Sequence, residues 1–283
     1  MGFARVSEFA QARAEGRWST ATIRKAPSNA STAGRWVDLS SSPNIPVPNY
    51  FASSPLVAAT LDQEKGILHG LTRAPAETYM QEWSMVTPSA SALGDYRLLD
   101  YVLYYPFVEG DNADEQIMDN TVVLPRYTNG IGLQIMPVVQ APMAGGGQFL
   151  VKYINENDVE RTTPLYNFNV VASNIAEIPT SEQANLALGF PFVPLVAGDR
   201  GVKRIVSVTV PTAAGGLFAL ALVQPLASMA LQEIGTPAEL RWVERRAGTP
   251  RIFDGAYLGM VVNCAGSLAG STIVGRMDFV WSV

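Results

Sequence analysis

The stretch Ser271–Val283, STIVGRMDFVWSV, decides the fold class, because its apolar residues alternate. Ile273, Gly275, Met277, Phe279 and Trp281 fall on one face, and Thr272, Val274, Arg276, Asp278 and Ser282 on the other. A period of two is the signature of a strand buried on one side. Working outward, similar short segments recur from Gly66 onward, parted by Gly, Pro, Asn and Asp. They are GILHGL, ETYMQEWSMVTP, YRLLDYVLYYPFVE, TVVLP, IGLQIMPVVQ, QFLVKYIN, VKRIVSVTV, GLFALALVQ and AYLGMVVN. Many short strands with turn signals between them predict an all-β fold, an antiparallel β-sandwich of jelly-roll type in one or two sandwich halves. The 24 glycines and 19 prolines agree, since both are poor in helix interiors.

Helix is expected only at Ala4–Glu15, at Ser181–Leu188 and at Pro237–Arg246, where Thr236 and Glu239 have the spacing of a helix start. Residues 1–55 read as an extended N-terminal arm with a short helix, residues 56–127 as a first sandwich portion and 128–283 as a second. The arm is rich in Ser, Thr, Asn and Pro, yet it carries Trp18, Trp36, Tyr50 and Phe51. Large aromatics need burial, so the arm is expected to lie along the body or a neighbour. Its first 35 residues hold Arg5, Arg13, Arg17, Arg24, Lys25 and Arg35 against Glu8 and Glu15, in a chain of net charge −5. These bases are spaced apart, which favours docking on an acidic protein surface over nucleic acid.

The chemistry of common enzymes finds no foothold. His69 is the single histidine and Cys264 the single cysteine, which excludes a zinc site of the usual ligand set and leaves a Ser-His-Asp triad with one isolated candidate. Gly145-Gly146-Gly147 leads into a strand and lacks the lysine of a phosphate-binding loop, so it reads as a loop. Asn155, Asn157 and Val159 break the ligand spacing of a calcium-binding EF-hand loop, where Glu160 also stands in place of the sixth-position glycine, and Asp111, Asp114 and Glu115 are a better-placed irregular oxygen cluster in a solvated loop. Nine acids between Glu77 and Asp119 supply carboxylates for glycoside hydrolysis without singling out a pair. The apolar window Gly215–Gly235 is broken by Gln224 and Pro225 and falls short of a membrane span, and no secretory signal opens the chain. No cofactor and no metal are expected. At 16% charged residues the surface is poor in charge, which predicts that part of it lies against something else.

The segments YINENDVERTTP, PFVPLVAGDRGVKRIVSVTV and PRIFDGAYLG resemble blocks of virion structural proteins of tailed bacteriophages. That resemblance implies a non-enzymatic protein of the virion, assembled in the host cytoplasm, with the major capsid protein or other virion proteins as partners. A capsid cement or decoration protein is the role preferred among these, acting as a homo-oligomer, with trimers common for proteins of this kind. The arm residues Trp18, Arg24, Arg35, Trp36, Tyr50 and Phe51 are then the partner-binding candidates, and removing residues 1–55 is expected to leave the body folded. The alternatives are a double jelly-roll major capsid protein, a tail, collar or baseplate component, a β-sandwich glycoside hydrolase or lyase, and a carbohydrate-binding module using Tyr104, Tyr105 or Tyr127.

Overall fold

A computed structural model describes residues 3, 5–70, 72–180, 191–242 and 248–283. Helix α1 (Val6–Ala14) is followed by β1 (Trp18–Lys25), β2 (Trp36–Asp38), β3 (Asn44–Ile45), β4 (Thr78–Val86), β5 (Gly94–Glu109) and β6 (Gln116–Ile117). Then come β7 (Gln134–Ala141), β8 (Gln148–Asn155), β9 (Glu160–Thr162), β10 (Tyr166–Asn167) and β11 (Val202–Thr212). The chain closes with β12 (Leu217–Leu231), β13 (Ala238–Arg241), β14 (Arg251–Ile252), β15 (Tyr257–Cys264) and β16 (Ile273–Trp281). All pairings between these strands are antiparallel, and the protein is the expected all-β fold of packed sheets.

Three sheets form. One runs β13-β4-β16-β1-β3 with β14 also on β4, a second runs β2-β15-β5-β12-β7, and a third runs β10-β8-β11-β6 with β9 on β8. The second sheet lies in the middle, and its edges are joined. Asp38 N donates to Ala176 O and Ile178 N to Trp36 O on the β2 side, while Val139 N donates to Glu177 O and Ala176 N to Val139 O on the β7 side. Residues 176–178 therefore close the middle sheet into a ring, which removes both open edges.

The residues of β12 show why this arrangement forms. Ala219, Ala221 and Val223 face the ring interior with Trp36, Leu99, Tyr101, Val138, Ile178 and Tyr257. Phe218, Leu220 and Leu222 face outward onto Phe149, Val151 and Tyr153 of the third sheet. Small residues line the inside because aromatic rings from β2, β5 and β15 already fill it. Past a register shift between Pro225 and Ala227, Met229 and Leu231 join a third cluster under the first sheet, with Trp83 and Met277. Pro225 is tolerated because β7 ends at Gln134, opposite Val223, and needs no further N–H from β12. The window Gly215–Gly235 is thus mostly a sheet strand, and no helix among the described residues is long and apolar enough to cross a membrane. Strand β5 is buried on both faces for most of its length, which accounts for its nearly unbroken apolar run.

Several expectations need correction. In β16 the alternation holds only as far as Met277: Met277, Asp278, Phe279 and Val280 are all buried, because the pairing with β4 shifts register between Asp278 and Phe279. Asp278 is satisfied by Thr20 Oγ1 at 2.7 Å and by Arg13 at 3.3 Å, and Trp281 is half-buried with the Arg73 guanidinium 3.1 Å over its ring. Gly275 is required, since a Cβ there would sit 2.5 Å from Ser84 O of β4. The helix expected over Pro237–Arg246 is instead strand β13 at Ala238–Arg241, where Leu240 pairs with Trp83 and is buried. Thr236 Oγ1 donates to Glu233 and caps nothing, so pairing with β4 overrides the local helix signal. Residues 243–247 and the helix expected at Ser181–Leu188 lie outside the described residues. The short N-terminal helix forms as α1.

The proposed segment boundaries do not coincide with sheet boundaries. β1 of the arm pairs along its whole length with β16, and β2 pairs with β15. β5, from the 56–127 portion, lies between β12 and β15 of the 128–283 portion. At the 127/128 boundary Arg126 is buried and grips Asp100 of β5 with two guanidinium nitrogens, Nη2 also donating to Tyr101 O at 2.7 Å.

Candidate partner-binding surface

The structure separates the six arm candidates into two groups. Trp18 (42% exposed), Arg24 and Tyr50 (62% exposed) are on the surface, with the Arg13 guanidinium 4.6 Å over the Trp18 ring. Arg35, Trp36 and Phe51 are buried. Trp36 lies inside the ring, and Phe51 packs on the rings of Tyr101 and Tyr104 at 6.3 and 5.3 Å. These three cannot act as surface anchors in this fold, because the arm's aromatics found their burial in the chain's own core.

Part of the arm's basic surplus is answered in the same way. Arg13 meets Asp278 and Gln81, Arg17 meets Glu15 and Trp281 O, and Arg35 meets Glu177. Lys25 is buried, its Nζ donating to Ser42 O at 3.0 Å and Pro46 O at 2.7 Å. Burial brings its pKa down to about 8 from 10.5, partly offset by the charge of Asp38. Between these values the unfolded chain holds a proton that the folded chain has released, so this residue's contribution to stability rises with pH from 8 to 10.5. The expected result is that the stability difference between wild type and Lys25→Met shifts in favour of wild type across that window. The shift is up to about 3 kcal/mol, measured by urea unfolding at successive pH values.

The stretch around the three glycines has a structural task with a surface consequence. All three have positive φ; a Cβ on Gly145 would lie 2.6 Å from the Val171 carbonyl carbon and one on Gly147 2.5 Å from Thr212 O. Gly146 N donates to Asn169 O at 2.6 Å. From the other side, Arg35 Nη1 donates to Ala172 O at 2.7 Å and Nη2 to Val171 O at 3.4 Å. Backbone held this way presents Val170 and Val171 to solvent at 83% and 57% exposure. Two adjacent aliphatic side chains on a fixed turn form an apolar knuckle. A second pair, Val122 and Val123, borders a groove of about 270 Å³ that also touches Lys203 and Arg204. The sequence conceals the second pair, because TVVLP reads as a strand.

The other candidates are held in structural roles. Glu115 pairs with Lys152 at 2.8 Å and accepts from Ser207 Oγ at 2.5 Å, whereas Asp111 and Asp114 are exposed. Asn155 Oδ1 accepts from the N–H of Asn157 and of Val159, both at 3.0 Å, and so forms the turn that ends β8. Among the described residues no three His, Cys, Asp or Glu side chains converge as metal ligands would. His69 is buried with Nε2 3.1 Å from Ala256 O, and burial lowers its pKa. Cys264 is buried, which raises the pKa of its thiol. Of the tyrosines suited to glycan stacking, Tyr104 and Tyr105 are buried, and Tyr127 is half-buried against Phe253 at 4.8 Å.

Comparison with known proteins gives little. No family model matches the chain, and no curated protein matches it. Among solved structures, the chain aligns over 94% of its length with 80% of the chain in a structure of the infectious bursal disease virus Gt strain, at 8% identity and a TM-score of 0.17. It aligns equally far with the infectious bursal disease virus VP2 subviral particle, at 8% identity and a TM-score of 0.16. Scores this low establish neither a shared fold nor a shared role.

Proposed function

We propose that this chain is a non-enzymatic structural protein of a tailed-bacteriophage virion, a cement or decoration protein that binds the major capsid shell and works as a homo-oligomer. The observation that carries the reading is the knuckle Val170–Val171, two aliphatic side chains left in water on backbone whose Val171 and Ala172 carbonyls accept from Arg35. Apolar anchors on backbone already held by hydrogen bonds bind a partner with less loss of conformational freedom. Trp18, Arg24 and Tyr50 remain as surface contributions of the N-terminal segment, while Arg35 acts from beneath as a support. The resemblance of YINENDVERTTP, PFVPLVAGDRGVKRIVSVTV and PRIFDGAYLG to virion blocks points to the kind of partner.

The test is particle association. Because both side chains are exposed, the double variant Val170→Asp/Val171→Asp is expected to melt close to wild type. Its occupancy on purified particles, read by quantitative mass spectrometry, is expected to fall at least about tenfold, the equivalent of 1.4 kcal/mol. Undiminished occupancy overturns the knuckle as the anchor. A copy number matching the tail rather than the shell moves the protein to another part of the virion.

A further inference from the structure

Strand β1 is only partly used by its own sheet. β16 pairs with it from Trp18 to Lys25 without a register shift, but on the opposite side β3 covers only Arg24 and Lys25. β3 ends at Ile45 because Pro46 has no N–H to donate and Pro48 follows closely. The other edge of Trp18–Ile23 therefore meets no strand among the described residues. Natural edges of this kind are usually blocked by a lysine, a proline or a bulge. The segment Trp18-Ser19-Thr20-Ala21-Thr22-Ile23 has none of these.

The space beside this edge is a groove of about 260 Å³, with Thr20 and Thr22 on one side and Ile45, Val47 and Leu68 on the others. Those three aliphatic side chains are 53%, 52% and 61% exposed, so the groove's walls are apolar and wet. A second hollow of about 220 Å³ shares Glu64 and Leu68 with the first and continues toward His69 and Thr72. Glu64 thus stands where the two hollows meet. Its carboxylate is exposed and has no ion-pair partner among the described residues, whereas its neighbours Asp62 and Lys65 pair with each other at 3.7 Å.

We propose that the open edge of β1 accepts an extended segment of a partner protein as an added strand, one with aliphatic or β-branched side chains on either side of a single lysine or arginine. The free backbone groups of Trp18–Ile23 supply main-chain hydrogen bonds, the apolar walls take alternate side chains, and Glu64 selects the cation. The proposal stands on the edge and its groove, and it does not depend on the virion role.

The experiment uses the full chain and a fluorescein-labelled synthetic peptide of alternating valine and threonine with one central lysine. Fluorescence anisotropy is expected to show saturable binding, with hydrogen exchange slowed at residues 18–23. The counterpart peptide with glutamate in place of lysine is expected to bind about tenfold more weakly, and Glu64→Lys is expected to reverse that preference. Glu64 lies exposed on a surface turn, so the variant is expected to keep the wild-type melting temperature. Three results would each overturn the proposal: no saturable binding of either peptide, binding that leaves exchange at 18–23 unchanged, or a preference that Glu64→Lys does not move.

Discussion

Arg35→Ala is expected to lose about 3–5 kcal/mol of unfolding free energy, the cost of stripping one partner from a buried ion pair. Both side chains of the Arg35–Glu177 pair are 0% exposed, and Nη1 lies 3.0 Å from Oε2. Glu177 also accepts from Thr32 N at 2.5 Å, Asn174 N at 3.0 Å and Asn174 Nδ2 at 3.2 Å. Without the guanidinium, its charge would stay buried, and the other donors to it among the described residues, on Thr32 and Asn174, are neutral. The damage would reach the fold, because Glu177 lies in the segment that joins β2 to β7 and closes the middle sheet. Glu177→Gln is expected to cost a similar amount by leaving Arg35 charged and buried. The double variant Arg35→Met/Glu177→Leu should recover part of the loss, limited by the N–H groups of Thr32 and Asn174 that would then lack an acceptor. Urea unfolding followed by tryptophan fluorescence measures all three. A cost below about 1 kcal/mol for Arg35→Ala would mean that the pair does not hold the closure.

Removal of residues 1–55 is expected to leave no folded body, the opposite of what a detachable arm predicts. The segment contributes β1 and β2 and the buried side chains of Ile23, Trp36, Val37, Leu39 and Phe51. At about 1.5–3 kcal/mol for each large apolar side chain buried, the loss is on the order of 10 kcal/mol, comparable to the whole stability of a domain. Near-UV circular dichroism and a thermal melt should show no cooperative transition. Removing only residues 1–16 makes the informative contrast. It takes away α1, which sits on the outside of the first sheet through Phe9 against Tyr79 and Arg13 against Asp278. That shorter truncation is expected to melt cooperatively at a modestly lower temperature. A cooperative melt of the larger truncation would restore the arm as a separate element.

What the sequence determined by itself is local. The alternation of Phe149, Val151 and Tyr153 in β8 and the continuous apolar run of β5 follow from how a strand presents successive side chains, and with the glycine and proline content they define the all-β class. The segregation of charge in the first 35 residues was also legible, but its acceptor was not. A carboxylate of the same chain more than a hundred residues away leaves no mark beside Arg13 or Arg35. The same limit hid the fates of Trp36, which enters the core from a three-residue strand too short to show a period, and of Ala238–Arg241, where pairing with β4 outweighs a helix-start pattern. Only the tertiary structure could decide that residues 176–178 close a ring, that Val170 and Val171 face water, and that one edge of β1 stays open. Each depends on which distant segments meet, and periodicity along one strand reports only the faces of that strand.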